Sequence, residues 1–194
     1  MPSKAKLHTV AKVRSSTEFG VDALAAIAEI CAGLALERAE VSPKFLYDPL
    51  GSKLFEAITQ VPEYYPTRTE RGILDRHAIE IARSVGVGST MIDLGAGNCE
   101  KAQRLFPLLR PAQYIAVDVS AEFLRDALGE LTRQFPDIDM RALGMDFSAA
   151  LHLPSFVRGQ QRLFFYPGSS IGNFTPESAM KLLRSLREQC DDSG

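Results

Sequence analysis

The sequence predicts an α/β chain: about four parallel strands, each handing over to a helix, preceded by a helical module. Three observations carry this. From Thr90 onward, short apolar runs alternate with longer amphipathic segments, the pattern of βαβ units. A glycine pair, in Asp93-Leu94-Gly95-Ala96-Gly97, stands where the first run ends and a helix begins. Upstream of about residue 85 the apolar spacing is helical.

Each element has a local reason. Residues 1–20 are polar and unpatterned and read as a disordered arm. Residues 22–38 are Ala/Leu-rich, with Leu24, Ile27, Ala28 and Cys31 at helical spacing. Ser42-Pro43 breaks the chain. Pro49 suits the first turn of a second helix through Leu54, Phe55 and Ile58, which Pro62 ends. Pro66 disfavours α geometry at Tyr65, so Glu63–Pro66 is read as extended or turned. Thr67 with Glu70 three residues on has the form of a capping box, opening a helix to about Ser84. Thr90–Leu94 is the first strand, and Ala102, Leu105, Phe106 and Leu109 mark one face of the helix after it. Tyr114–Val117 is the second strand, ending at Asp118; Ser120 then caps a helix carrying Phe123, Leu124, Leu128 and Leu131. Ile138–Leu143 is a third strand. Leu163–Tyr166 is a fourth, followed by Pro167-Gly168-Ser169-Ser170. Thr175 with Pro176 opens a last helix, Met180 to Leu186.

Composition narrows the function classes. A chain of 194 residues fits one domain, or one plus a small addition. Hydrophobic residues at 45% and charged residues at 24% are ordinary for a soluble globular protein. A net charge of −2 argues against a dedicated nucleic-acid binder. Cys31, Cys99 and Cys190 are odd in number and far apart, and His8, His77 and His152 lack ligand spacing, so neither a disulfide framework nor a metal site is expected. No apolar run approaches the ~18 residues of a membrane span, and the basic start lacks a signal-type apolar core. The expectation is a cytoplasmic protein in a reducing compartment, with no nucleic-acid or membrane partner.

The glycine loop narrows the ligand. Glycine lets a backbone turn tightly and lets a ligand approach without a Cβ in the way. A dinucleotide fingerprint needs a third glycine at position 100, where this chain has Glu100, a carboxylate that would repel a pyrophosphate. S-adenosylmethionine carries no phosphate and meets no such objection. Asp118, at the end of the second strand, is placed to accept bonds from both ribose hydroxyls. These features favour S-adenosylmethionine. Blander readings stand beside them: a mere tight turn at Gly95 and Gly97, a helix-approach residue at Asp118, a solvated Lys101. A NAD-dependent oxidoreductase is disfavoured by Glu100 and by the lack of a Tyr-x-x-x-Lys pair or a hydride-transfer histidine.

Four segments stand in a telling order: Tyr47-Asp48-Pro49-Leu50-Gly51-Ser52-Lys53-Leu54-Phe55, Pro62-Glu63-Tyr64-Tyr65-Pro66-Thr67-Arg68-Thr69-Glu70-Arg71, Asp93-Leu94-Gly95-Ala96-Gly97 and Gly168-Ser169-Ser170-Ile171-Gly172-Asn173. Over about residues 22–194 the chain resembles the histidine-specific S-adenosylmethionine-dependent methyltransferase family, which includes the ergothioneine-pathway enzyme that trimethylates the α-amine of L-histidine. The second and fourth segments are the specific ones; the glycine loop is common to most methyltransferases. The resemblance implies a Rossmann-like class I methyltransferase sheet. It implies that Gly95, Gly97 and Lys101 contact the cofactor, Lys101 through its carboxylate. It implies that Asp118 holds the ribose and that Asp146 and Phe147 read the adenine edge. It further implies that Tyr47, Tyr64, Gly168 and Asn173 line the substrate site. Alternatively, Tyr47 and Tyr64 are core aromatics and Asn173 caps the last helix. No general base is assigned: methyl transfer to an amine asks mainly for alignment and exclusion of water.

The family's sheet has seven strands in the order 3-2-1-4-5-7-6, and four are counted here. The expectation is therefore a disordered arm (1–20), the N-terminal helical part of a substrate-binding domain (21–65) and an S-adenosylmethionine-binding Rossmann-like domain (66–194) truncated before its fifth strand. The residues that would read the imidazole are not in this chain. In that order the strand at residues 163–166 is an exposed apolar edge, so the chain reads as an N-terminal fragment of a larger enzyme; were it complete, self-association through that edge is expected. The competing function is a cofactor-binding module without catalysis that serves as an interaction or regulatory protein, or a methyltransferase for another amine.

Overall fold

A computed structural model describes residues 19–148 and 151–190; most of the arm read into residues 1–20 lies outside the described residues. The chain divides into two compact units, Met1–Phe45 and Leu46–Gly194. In the first, α1 (Phe19–Leu34) forms in place of the expected 22–38. The chain turns back after it through the Gly33 carbonyl, which accepts from the Leu36 N–H at 3.3 Å and the Glu40 N–H at 3.2 Å. Lys44 Nζ pairs with Glu29 at 2.8 Å.

The second unit opens with α2 (Pro49–Gln60), whose N-cap Asp48 accepts from the Gly51 N–H at 2.6 Å. Next comes α3 (Pro66–Val85). Its start corrects two expectations. Tyr65 is the N-cap and is α-helical itself (φ −67°, ψ −24°), and Pro66 is the first helical residue. Thr67 lies inside the first turn, so no capping box forms. The reason is local: proline at the first helical position is already set for the helix. Arg68 then forks back onto the carbonyls of Val61 (3.0 Å), Pro62 and Tyr64 (3.4 Å), satisfying the turn that leads in.

Four parallel strands follow: β1 (Thr90–Leu94), β2 (Gln113–Asp118), β3 (Asp139–Gly144) and β4 (Arg162–Phe165), in the order β3-β2-β1-β4. The register sets Ile92 opposite both Ile115 and Phe164. The helix expected after β1 is two short pieces, α4 (Glu100–Gln103) and α5 (Phe106–Leu109). Pro107 is the cause: it has no N–H and its ring clashes with the carbonyl four residues back. The remaining helices are α6 (Ala121–Gln134) and α7 (Pro176–Gln189). Ser120 sits at the α6 N-cap position but makes no capping bond, whereas Thr175 caps α7 by accepting from the Ser178 N–H at 3.2 Å.

Side chains alternate across the sheet, and both faces are covered. Met91, Tyr114 and Ala116 pack with Leu105, Phe106, Leu109, Leu124, Leu128 and Leu131 on one face. Ile92, Leu94, Ile115 and Val117 pack with Leu151, Val157, Leu182 and Leu186 on the other. This explains why β1 and β2 read as continuous apolar runs rather than as alternating ones. Buried Gln113 ties the lower end together, donating to Asp139 at 2.9 Å and to the Phe156 carbonyl at 3.1 Å and accepting from the Arg158 N–H at 2.9 Å. Among the described residues, β4 pairs with β1 alone and is an edge.

Candidate functional site

The chain runs β1, β2, β3 to one side and then crosses back to place β4 on the other side of β1. At such a reversal the loops after neighbouring strands part and leave a crevice at the carboxyl ends, where α/β folds hold their ligands. The loop after β1 carries the glycine pair, Asp118 ends β2, and the loops after β3 and β4 carry Asp146 and Gly168.

The glycine loop is built by backbone conformation. Gly95 and Gly97 have φ of +71° and +54°, and a Cβ on either would meet open space, so it is the left-handed turn that asks for glycine. The Gly95 and Ala96 N–H groups donate to the Val117 carbonyl at 2.9 and 3.1 Å. The Gly97 N–H donates to Asp118 Oδ2 at 3.1 Å, and the Ser120 N–H to Asp118 Oδ1 at 3.1 Å. Asp118 thus organises its own turn as well as the glycine loop. A carboxylate has about four lone-pair sites, so two remain for a pair of hydroxyls. The structural and ligand-binding readings of Asp118 are therefore compatible.

Beneath the loop lies a group to which the sequence reading gave no role. Asp93 is buried on β1, accepts from the Tyr114 hydroxyl at 2.7 Å through Oδ2, and has no partner for Oδ1 among the described residues. Burial pushes its carboxyl up to about 7, against the opposing pull of the Tyr114 bond and the Lys101 charge, with Asp118 adding to the rise. Cys99 beside it is buried, and burial pushes its thiol up to about 12, so it is an inert packing residue.

A row of opposite charges joins α3 to α4. Glu70 pairs with Lys101 at 2.5 Å, Arg71 with Glu100 at 2.8 Å, and Asp75 with Arg104 at 3.0 Å; Arg104 also reaches Glu100 at 3.2 Å. Glu70 also accepts from the Gly168 N–H at 2.5 Å. Pairing with two arginines weakens the argument that Glu100 repels a pyrophosphate. The missing third glycine still counts against a dinucleotide, as does an α4 of one turn, which offers little helix dipole.

Tyr47 and Tyr64 meet through Phe55. Tyr47 packs edge-on to that ring at 5.8 Å and Tyr64 at 5.9 Å, both half-buried rather than core. Burial, then the neighbouring Tyr64 and Asp118, push the Tyr47 hydroxyl above its usual range, so it stays a neutral donor. Asn98 of the glycine loop donates to Glu56 of α2 at 3.3 Å. After β3, Asp146 folds onto the Ser148 N–H at 2.9 Å, and Phe147 packs edge-on to Tyr166 at 5.6 Å. Asn173 ends a 3-10 turn (Ser170–Asn173) and is exposed; Thr175, not Asn173, caps α7.

The donor set suits a ligand with an amino-acid end, a ribose and an uncharged base. Asp118 keeps free acceptors beside an open, Cβ-less turn, and Lys101 lies one turn along. Residues 26–194 match the family model described as histidine-specific methyltransferase, SAM-dependent. The chain belongs to the histidine-specific methyltransferases. The family depends on S-adenosylmethionine. Among relatives, the histidine N-alpha-methyltransferase of Mycolicibacterium smegmatis is 37% identical over 82% of this chain and 50% of its own length. That of Mycobacterium tuberculosis is 35% identical over 90% and 56% respectively. The N-methyltransferase imqF of Aspergillus flavus is 34% identical over 80% and 44%. The chain spans about half the length of the curated relatives it matches.

Proposed function

We propose that this chain forms the cofactor-holding part of an S-adenosylmethionine-dependent N-methyltransferase acting on the α-amine of L-histidine, up to trimethylation. The observation that carries the reading is the family match along residues 26–194. S-adenosylmethionine, when bound, supplies a methyl group on a sulfonium, open to in-line displacement by a neutral amine. In this reading Gly95 and Gly97 give the backbone approach, and Lys101 takes the cofactor's carboxylate. Asp118 accepts from the ribose hydroxyls, and Asp146 and Phe147 flank the adenine. Tyr47, Tyr64, Gly168 and Asn173 line the amino-acid site. Their work is orientation and exclusion of water, which supports a neutral amine by disfavouring its ammonium form. The raised Tyr47 hydroxyl fits a donor rather than a base. The three free cysteines fit a reducing, cytoplasmic setting. The apolar β4 edge supports self-association.

The test is mass spectrometry of L-histidine incubated with the chain and S-adenosylmethionine, scoring mono-, di- and trimethylated products against other α-amino acids. Methylation of histidine above the others supports the reading. A chain that binds S-adenosylhomocysteine yet methylates only a different amine overturns the choice of substrate.

A further inference from the structure

Glu70 stands where three elements meet. It comes from the first turns of α3, Lys101 from α4, and Gly168 from the loop after β4. One carboxylate oxygen, Oε1, accepts from the Gly168 N–H at 2.5 Å; the other, Oε2, pairs with Lys101 Nζ at 2.5 Å. Gly168 has φ of +86°, the left-handed conformation that asks for glycine, and a Cβ there would lie 3.0 Å from Lys101 Nζ. The neighbouring Arg71–Glu100 pair fixes the register of α3 against α4 without touching Lys101.

We propose that Glu70 is a positioning residue: anchored by the Gly168 backbone, it holds the Lys101 ammonium in place for the cofactor's carboxylate. The proposal rests on the reading of Lys101 given above. A lysine stem is flexible, and a free ammonium must lose rotamer freedom before it can serve a ligand. Glu70 imposes that order in advance. An ammonium has three donors; Glu70 engages one and leaves two. Against this stands the repulsion between Glu70 and an incoming carboxylate. Both side chains are about a third exposed (26% for Glu70, 36% for Lys101), so water and salt screen that term. Preorganisation therefore outweighs it.

The experiment compares two probes by titration calorimetry on the 194-residue chain. S-adenosylhomocysteine has the amino-acid end; 5′-methylthioadenosine lacks it and keeps the adenosine and sulfur. Glu70→Gln retains an acceptor for the Gly168 N–H and removes the charge that holds Lys101. The expected result is a five- to tenfold loss of S-adenosylhomocysteine affinity with 5′-methylthioadenosine unchanged, while Arg71→Ala alters neither by more than about twofold. Equal losses for both probes mean a merely structural role and overturn the proposal, as does unchanged or tighter S-adenosylhomocysteine binding. Lys101→Met separates the two layers. If it closes the gap between probes and Glu70→Gln does not, only the positioning role falls. If Lys101→Met leaves the gap intact, Lys101 is not the carboxylate's cation and both readings fall.

Discussion

Asp118 holds the Gly97 and Ser120 N–H groups and keeps two acceptor sites for a diol. Hydrogen bonds to a charged group contribute roughly 1.5–3 kcal/mol each. Asp118→Ala is expected to lower S-adenosylhomocysteine affinity by at least about tenfold in calorimetry; an unchanged affinity removes it from the cofactor site. Asp93 makes a prediction about pH. Its folded-state carboxyl is raised to about 7 from the usual 3.8, so the native state binds this proton more tightly than the unfolded chain does. The stability it contributes is full below about pH 4 and is lost as pH rises through about 7. Asn at this position still accepts from Tyr114 and cannot ionise. Urea unfolding is expected to show Asp93→Asn gaining on the natural chain by about 2 to 3 kcal/mol between pH 5 and pH 8. Parallel pH profiles for the two proteins would mean that Asp93 is ionised throughout. Both residues end or nearly end a strand, and both stand in motifs visible in the sequence. Only Asp118 was given a role there, because nothing local marks Asp93 as buried beside Tyr114.

Helix starts separate what is local from what is not. Asp48 and Thr175 cap α2 and α7 through bonds three residues along, and both helices begin on a proline. Thr175 was legible in the sequence for that reason. Thr67 looked equally good as a cap and is not one, since Pro66 had already begun the helix. Asp48→Ala and Thr175→Ala are each expected to cost about 1 kcal/mol in urea unfolding with an unchanged slope. Thr67→Ala is expected to stay within about 0.5 kcal/mol. A loss at Thr67 as large as at Thr175 would restore the capping box. The break between α4 and α5 has a similar lesson: apolar spacing joined Ala102 to Leu109 in one face, and that face is indeed buried, but Pro107 interrupts the backbone ladder beneath it.

Among the described residues, the sheet is covered on both faces, and β4 pairs with β1 and no other strand. Leu163 and Phe165 turn to one core and Phe164 to the other, so the edge offers unpaired backbone flanked by apolar side chains. Such an edge pairs with other chains unless it is covered or charged. Light scattering on a sizing column is expected to give an average mass that rises with concentration; a sharp monomer at high concentration refutes it. Among the described residues, no helix is long and apolar enough to cross a membrane.

The strands, their order of appearance, the glycine turn and the helices led by Pro49 and Pro176 were readable in the linear chain. Each depends on residues within a few positions of one another, through side-chain period, fixed φ or a missing Cβ. The family resemblance likewise rests on contiguous segments. The partners of Glu70 were not readable. It sits in a capping-box spacing, yet its carboxylate turns to Lys101 and to Gly168, 98 residues away, because sheet order brings the loop after β4 beside the one after β1. The same holds for the raised Asp93 carboxyl, which follows from burial between two layers. Where a charge is satisfied depends on which distant elements the fold sets side by side, and no local period encodes that.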